Sequence, residues 1–582
     1  MTRYRLASFP RLRPLLAAPF LAAVLLVAVL LAAPACGGNN AGNQNVCGDF
    51  PPQQPPMTCA REGVGTPASW ARCVGTMFRD DGHAVAVDGQ GNIYLGFSIG
   101  GPTPEELPQL AGCYGLSHQQ AATAMFEDVG VVVGSQHDPG IAKYRSDGSL
   151  EWVRTAVGVG LGGEVRSIAV DPDGQSVVIA GDFRGMAVFS PQHTLASAHL
   201  NLFVAEYDNQ GNVLWAQAAE VTPDNEKGNA LADVHGVAID PQSHNIVATG
   251  VFVGGLNWGG RSIESHGNSD MFTVELTRDG TILWLDDAGG QQDAGVGNAV
   301  TVEPDGSVVV VGSLGGAADE HFTGSDGREV VVPPYGGEHG FDMVMVRYDP
   351  QGRVLWATHA GFPNAEARGM GVTHDSTGNL YVTGLFQGCA WFRQQAVAIG
   401  QPPLPPAPPP VPPPPCAPTP TDLMVQAGGE FEVDLFVAKY GVDGSLQWVQ
   451  QAGGPGRDAG QSIVVHEPSG SLYVGGTIAE TAVFGQPPSQ QMTVAALHDS
   501  SHAVAQYGLD GQLRWARALG GMGGHGENQL HGLAVDPNDG AVVGVGSFNG
   551  SASFMSGVTL HAAAEVVHFD DILLWRLGPD GQ

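Results

Sequence analysis

Residues 434–448 read DLFVAKYGVDGSLQW, and close copies of this stretch return from one end of the chain to the other. Two apolar runs flank Asp443-Gly444. That dipeptide is a strong hairpin signal, because glycine accepts the positive φ that a tight turn demands. The closing tryptophan recurs as Trp70, Trp152, Trp215, Trp284, Trp356, Trp448 and Trp515, at spacings between 63 and 92 residues. A repeat whose period varies in this way consists of fixed strands separated by loop insertions.

Sorting the short apolar runs by type gives the unit. A first strand appears as HAVAVD, RSIAVD, HGVAID, NAVTVE, GVTHD, IVVHE and HGLAVD, and a second as NIYLGF, SVVIAG, NIVATG, SVVVVG, NLYVTG, SLYVGG and AVVGVG. A third appears as GIAKY, FVAEY, FTVEL, VMVRY, FVAKY, AVAQY and, at the C-terminus, ILLWRL (Ile572 to Leu577). The tryptophan run is the fourth. The last third-strand has no tryptophan run after it, and Trp70 has no third strand before it. Ends that complement each other in this way predict closure into a ring, which removes exposed sheet edges.

These units resemble the bacterial β-propeller repeats of the SBBP type, related in pattern to NHL repeats, over residues 67–582. The resemblance implies an all-β, seven-bladed β-propeller of four-stranded blades, with the first strand innermost and the fourth outermost. It also implies that the N-terminal outer strand at Trp70 pairs with the C-terminal blade. Insertions are expected near 98–138, 315–340 and 389–432, and as loops on a rigid scaffold they rank as second-choice recognition sites. The tryptophans, and the aromatics Phe189, Trp258, Trp391, Phe484 and Phe554 after the second strands, read as interblade packing.

Composition agrees with this class. The chain has 84 Gly, 41 Pro and only 14% charged residues, which means many turns and few amphipathic helices. The N-terminus carries Arg3, Arg5, Arg11 and Arg13, then an apolar run from Phe20 to Ala33, too short for a spanning helix of about 20 residues. Residues 1–35 therefore read as an export signal. Ala33-Pro34-Ala35 suits ordinary cleavage, whereas Cys36 followed by the Gly/Asn-rich stretch resembles a lipoprotein acylation site, although Ala33 stands where that pattern prefers Leu. The lipoprotein reading leads, with residues 36–66 as a flexible tether and an outer-membrane or cell-surface location. Periplasmic or secreted protein is the alternative.

The formal net charge of −33 disfavours nucleic acid and anionic lipid as partners and, on its bland reading, keeps a large exported monomer soluble. Membrane contact is expected only through the lipid. Six cysteines remain beyond Cys36, an even number that fits an oxidising compartment. Cys389 and Cys416 flank a Pro-rich run and are the first pair expected. Proximity then suggests Cys47 with Cys59 and Cys73 with Cys113.

The motifs that would announce an enzyme are missing. Gly158–Gly163 (GVGLGG) and 521–526 match a dinucleotide pattern only as strings, because each falls in a loop between a Trp strand and a first strand, without the helix that would receive pyrophosphate. The DPDG, YDNQG, VEPDG and DPNDG segments read as hairpin turns with Asp capping its own turn, with too few carboxylates for a calcium loop. No cofactor is identified, and calcium or another divalent cation stays open.

The informative column stands immediately before the innermost strands: His83, Arg166, His235, Asn298, Met370, Ser462 and His531. In a propeller it lines one mouth of the central channel. The preceding loops add Asp81, Glu164, Asp233, Asp293, Glu366, Asp458 and Glu527. Such acids either attract a cation or hydrogen-bond loop backbone in every blade, and a feature repeated in each unit ordinarily serves the repeat. The irregular His/Arg subset is the better functional suspect. The leading expectation is a noncatalytic binding or scaffold module for a protein, glycan or cation. The alternatives are a quinoprotein-like dehydrogenase, since DGSLEW and QGRVLW resemble repeats of pyrroloquinoline quinone enzymes, or a metal-dependent lyase or hydrolase. Against the first stand the missing Cys-Cys pair and the missing TG before each Trp.

Overall fold

The computed structural model describes residues 59–582 apart from 63–64, 67–68, 77, 103–122, 128, 225–227, 291–293, 317, 336, 402–415, 417–421, 430–431, 488–489, 521–527, 555–556 and 563–569. The leader, Cys36, Cys47, Cys113, Asp293, Glu527 and the second glycine string lie outside the described residues.

Almost everything described is antiparallel strand, and the one helical element among these residues is a 3-10 turn at Glu467–Ser469. The repeat folds as read. The sixth copy pairs Ala459–His466 with Ser471–Phe484, that with Met492–Gly508, and that with Leu513–Leu519. The third copy pairs Leu231–Ile239, Ile246–Val253, Asp270–Leu276 and Ile282–Gly289 in the same order. At the C-terminus Gln529–Val535, Val542–Phe548 and Asp571–Leu577 pair in turn, and Trp70–Val74 completes them in the register Trp70 to Arg576 and Val74 to Ile572. This is the architecture of a β-propeller.

The reason these strands form lies in their turns and faces. Where the second strand begins, Asp88 takes the amides of Gln90 and Asn92 on one carboxylate oxygen, and Asp375 does the same for Thr377 and Asn379. An aspartate that binds its own turn fixes the hairpin before any packing exists. The apolar residues then fall into clusters that each span two successive units, including one in which Trp70, Val543 and Ile572 meet Leu95, Phe97 and Tyr144.

Each repeat tryptophan lies against the left-handed glycine of the Asp-Gly or equivalent turn in the following unit. Gly211 has φ 79°, and a Cβ there would fall 2.9 Å from the Trp152 ring. Trp70 stands in the same relation to Gly148, and Trp515 to Gly581. The indole nitrogens of Trp70, Trp152, Trp215, Trp356 and Trp515 also donate to backbone carbonyls of that following turn, at 2.9 to 3.2 Å.

Four expectations need correction. The first disulfide joins Cys59 to Cys73, not Cys47 to Cys59 or Cys73 to Cys113, because Ala60–Glu62 pairs beside the C-terminal unit and brings Cys59 against the Trp70 strand; Cys389–Cys416 is as expected. Gly158–Gly163 is not a loop but part of the long strand Val157–Val170. Asp81, Glu164 and Asp233 sit on first strands rather than in the loops before them. The insertions contain hairpins that extend the preceding sheet: Glu320–Thr323 pairs onto Gly289, and Cys389–Arg393 onto Gly361.

Candidate functional site

Every first strand carries a β-bulge near the start of its regular pairing. Apart from a further irregularity at Leu161 in the long strand Val157–Val170, the pairing register skips His83, Arg166, His235, Asn298, Met370, Gln461 and His531, one residue per unit. A bulge leaves one residue out of the ladder and re-aims its side chain. Here all of these residues line one cavity of about 530 Å³, together with the first-strand residues that follow them. The sequence column is therefore real, with one shift: the sixth member is Gln461, and Ser462 occupies the next position.

That next position holds Ala84, Ser167, Gly236, Ala299, Gly371, Ser462 and Gly532, all small. The reason is contact between first strands of adjacent units. A Cβ on Gly236 would lie 3.0 Å from the Ala299 Cα, and one on Gly532 3.3 Å from the Ala84 Cα. Ser167 and Ser462 use the same closeness differently, each accepting a hydrogen bond at 3.0 Å from an amide of the neighbouring first strand, at Val237 and Leu533.

Polar contacts at the cavity are unevenly distributed. Arg166 holds Glu164 at 2.7 Å, Asp182 at 3.4 Å and Asp233 at 3.6 Å. His235 Nε2 lies 3.1 Å from Asp233, and its Nδ1 3.5 Å from Asn298 Oδ1. Asn298 donates to the Gly369 carbonyl at 2.8 Å and leans on the Met370 sulfur. Arg79 pairs with Asp81 at 2.7 Å. His83 and His531 meet edge to face with centroids 5.6 Å apart, and His83 Nε2 is 2.8 Å from Ser98 Oγ. His531 Nε2 is shut off from solvent and has no hydrogen-bond partner among the described residues.

Burial keeps both imidazoles neutral. It drives the His83 value well below the ordinary range, with His531 and Arg166 adding to the effect, and it takes His531 down to about 4, helped by Arg166 and Arg79. Burial, with Asp233 beside it, pushes the Asp182 carboxyl up. Beside the cavity, then, stand four acid groups, Asp81, Glu164, Asp182 and Asp233, with two guanidiniums, and burial holds Asp182 toward its neutral form.

The other two described acids of the column, Asp458 and Glu366, are engaged elsewhere. Asp458 accepts the amides of Gly454 and Ala479, which is the backbone role, and Glu366 pairs with Arg368 at 2.6 Å and Arg457 at 3.7 Å. Nor do the mouth residues gather as metal ligands. Among the described residues, the sets whose donor atoms all lie within 4.8 Å of one another are Asp171, Asp173 and His244, and His266, Asp270 and Asp287. Sequence reading missed both sets: the first joins turns that follow the first strands of the second and third units, and the second joins a turn residue to two strands of the third unit.

No protein-family model matches the chain, and no curated protein matches it. Solved structures similar to it include Kuenenia stuttgartiensis hydrazine synthase, at 10% identity over 83% of this chain and 95% of that one, TM-score 0.36. A chain of a mitotic checkpoint complex matches at 9% identity over 94% and 97%, TM-score 0.36, and dihydro-heme d1 dehydrogenase NirN in complex with DHE at 9% over 80% and 81%, TM-score 0.32. Likeness at these scores carries no functional argument. The strand pairing itself defines the class, a β-propeller protein in which one bulge side chain per repeat is directed into a shared cavity.

Proposed function

We propose that the protein is an exported, lipid-anchored, noncatalytic binding propeller that takes a cationic or donor-rich group of its partner into the channel mouth. The observation that carries this reading is the convergence of the bulge side chains on one cavity, beside which the acid groups of Asp81, Glu164, Asp182 and Asp233 gather round Arg79 and Arg166. Acid groups in excess of guanidiniums beside a cavity with low-dielectric walls favour cations within it. His531 lines the same cavity, and its Nε2 is committed to no hydrogen bond among the described residues.

The same proposal includes a ring of seven blades, in the manner of SBBP-type repeats. Supporting closure are the Trp70–Val74 strand on Asp571–Leu577, the Trp70 contact with Gly148, and the apolar cluster shared by the first and last units. Export and the anchor rest on the arginine-led leader with Cys36 and are supported by two disulfides. Among the described residues no helix is long and apolar enough to cross a membrane. Palmitate labelling that persisted in Cys36→Ser would remove the anchor from this reading.

The binding test is scanning fluorimetry of the full chain against arginine, lysine, spermidine, and neutral and acidic oligosaccharides. A cationic probe is expected to raise the unfolding midpoint, and the rise should disappear in Asp233→Asn and in His531→Ala. If only acidic probes act, or if the variants respond like the parent protein, the reading is wrong.

A further inference from the structure

We propose that His266, Asp270 and Asp287 bind one divalent transition-metal ion of the zinc class, at a site that shares no residue with the channel. The spacing of the donor atoms is the starting point. His266 Nδ1 lies 3.3 Å from Asp270 Oδ2 and 3.4 Å from Asp287 Oδ2. Bonds of 2.0–2.2 Å to a tetrahedral zinc set neighbouring ligand atoms roughly 3.3–3.6 Å apart. A charge-assisted hydrogen bond would bring them to about 2.7–2.9 Å. His266 thus reaches both carboxylates, and the three donor atoms all lie within 4.8 Å of one another, a separation that one metal centre can bridge.

The local chain explains how they arrive there. His266 stands in the turn between Arg261–Glu264 and Asp270–Leu276, and its own amide donates to Asp270 Oδ2 at 2.7 Å. Gly267 donates to the other oxygen at 3.3 Å, so the Asp270 carboxylate is fixed by backbone. Asp287 comes from the adjacent fourth strand, Ile282–Gly289, and Gly289 stays bare because a Cβ there would lie 2.6 Å from the Asp270 carboxylate.

Asp270 alone would prove nothing. Its column recurs as Asp138, Asp342, Asp434 and Asp571, each facing the end of the second strand, and so it serves the repeat. His266 and Asp287 are what the third unit adds. Counting from each tryptophan, the positions equivalent to Asp287 are Thr155, Ala218, His359, Gln451, Ala518 and Cys73. Two carboxylates thus stand against one imidazole.

A second, independent feature points the same way. Beside the triad lies a cavity of about 460 Å³, lined by His266 and Asp287 on one side and by Asp319, His321 and Glu329 of the next unit's hairpin on the other. His266 and Asp287 face this open space while Asp270 closes the site from behind, and a zinc ion with three protein ligands keeps one position for water or an incoming donor. One imidazole and two carboxylates suit zinc, cobalt, nickel or copper better than calcium, which asks for six to eight oxygens. The other clustered set differs: His244 Nδ1 already lies 2.9 Å from both oxygens of Asp171, and Arg278 approaches the same carboxylate at 3.8 Å.

The test is calorimetric titration of the chelator-stripped full chain with zinc chloride, with metal content read by mass spectrometry after dialysis. One ion per chain is expected, with affinity falling at least tenfold in His266→Ala and in Asp287→Asn and unchanged in His244→Ala. His266 is largely exposed and Asp287 partly so, which lets both variants fold, and equal unfolding midpoints without metal verify it. Absence of saturable uptake, uptake unaffected by both substitutions, or loss in only one of them would each overturn the three-ligand site. None of these outcomes bears on the channel, whose failure would leave this site standing.

Discussion

Replacing Gly211 with alanine tests the contact that repeats around the molecule. Two costs arise there. At φ 79° an alanine is in the left-handed region, at about 1–2 kcal/mol. Its methyl also falls 2.9 Å from the Trp152 ring, which is pinned by its 3.0 Å hydrogen bond to the Asn209 carbonyl and has no room to retreat. Overpacking of that kind costs roughly 1–3 kcal/mol. Gly327 is the control: φ is 73°, nothing lies within 4 Å of its added Cβ, and its turn makes the same pair of backbone hydrogen bonds, from residue four to residue one and from residue one to residue five. Gly327→Ala therefore isolates the conformational cost. Urea unfolding followed by tryptophan fluorescence should show Gly211→Ala less stable than Gly327→Ala by about 1–3 kcal/mol. Equal losses would refute the claim that tryptophan on glycine locks one unit to the next.

Two further outcomes follow from the same geometry. His531 titrates near 4 when folded and near 6.5 when unfolded, so its contribution is complete above pH 6.5 and is lost as pH falls toward 4, on the order of 3 kcal/mol at the lower end. Asp182 works in the opposite direction, so the measurement is a difference: unfolding midpoints of His531→Asn should fall less than those of the parent protein between pH 7 and pH 4.5, and parallel curves would contradict the burial argument. Removing residues 59–76 deletes the strand on Asp571–Leu577 and leaves that strand as an open edge. Light scattering should then report association, and a monodisperse truncated chain of unchanged stability would show that Trp70–Val74 is dispensable.

Much of the fold was legible because the signals are local. Asp-Gly turns, the alternation of the third strands and the recurrence of tryptophan each depend on a few neighbouring residues, and they identified the strands before any tertiary contact was known. The cysteine pairing was not local in the same way. Cys59 reaches Cys73 because Ala60–Glu62 crosses to pair beside Thr559–His561, nearly the whole chain away. The site column was legible to within one residue. Its error at Ser462 has a physical cause: in the sixth unit His466, not an acid, holds the turn position of Asp88 and Asp375, so aligning Glu467 with those acids moves the column by one residue. The neighbouring column of Ala, Ser and Gly sets the register correctly, since only small residues fit where first strands touch. The His266 set was illegible because its members come from a turn and two strands, and because Asp270 is disguised as an ordinary repeat residue.

The bulge also explains why variety collects at the channel. Within a first strand, most positions face a partner across the ladder or a neighbouring sheet, and a change there disturbs packing repeated in every unit. The bulged residue faces no cross-strand partner, so its identity is free of that constraint. It holds His83, Arg166, His235 and Asn298 on one arc, Met370 and Gln461 on the other, and His531 beside His83. The backbone repeats while the chemistry does not: of the seven bulge residues only Arg166 carries a fixed charge. The lining is therefore asymmetric, which a ring of identical side chains would not be.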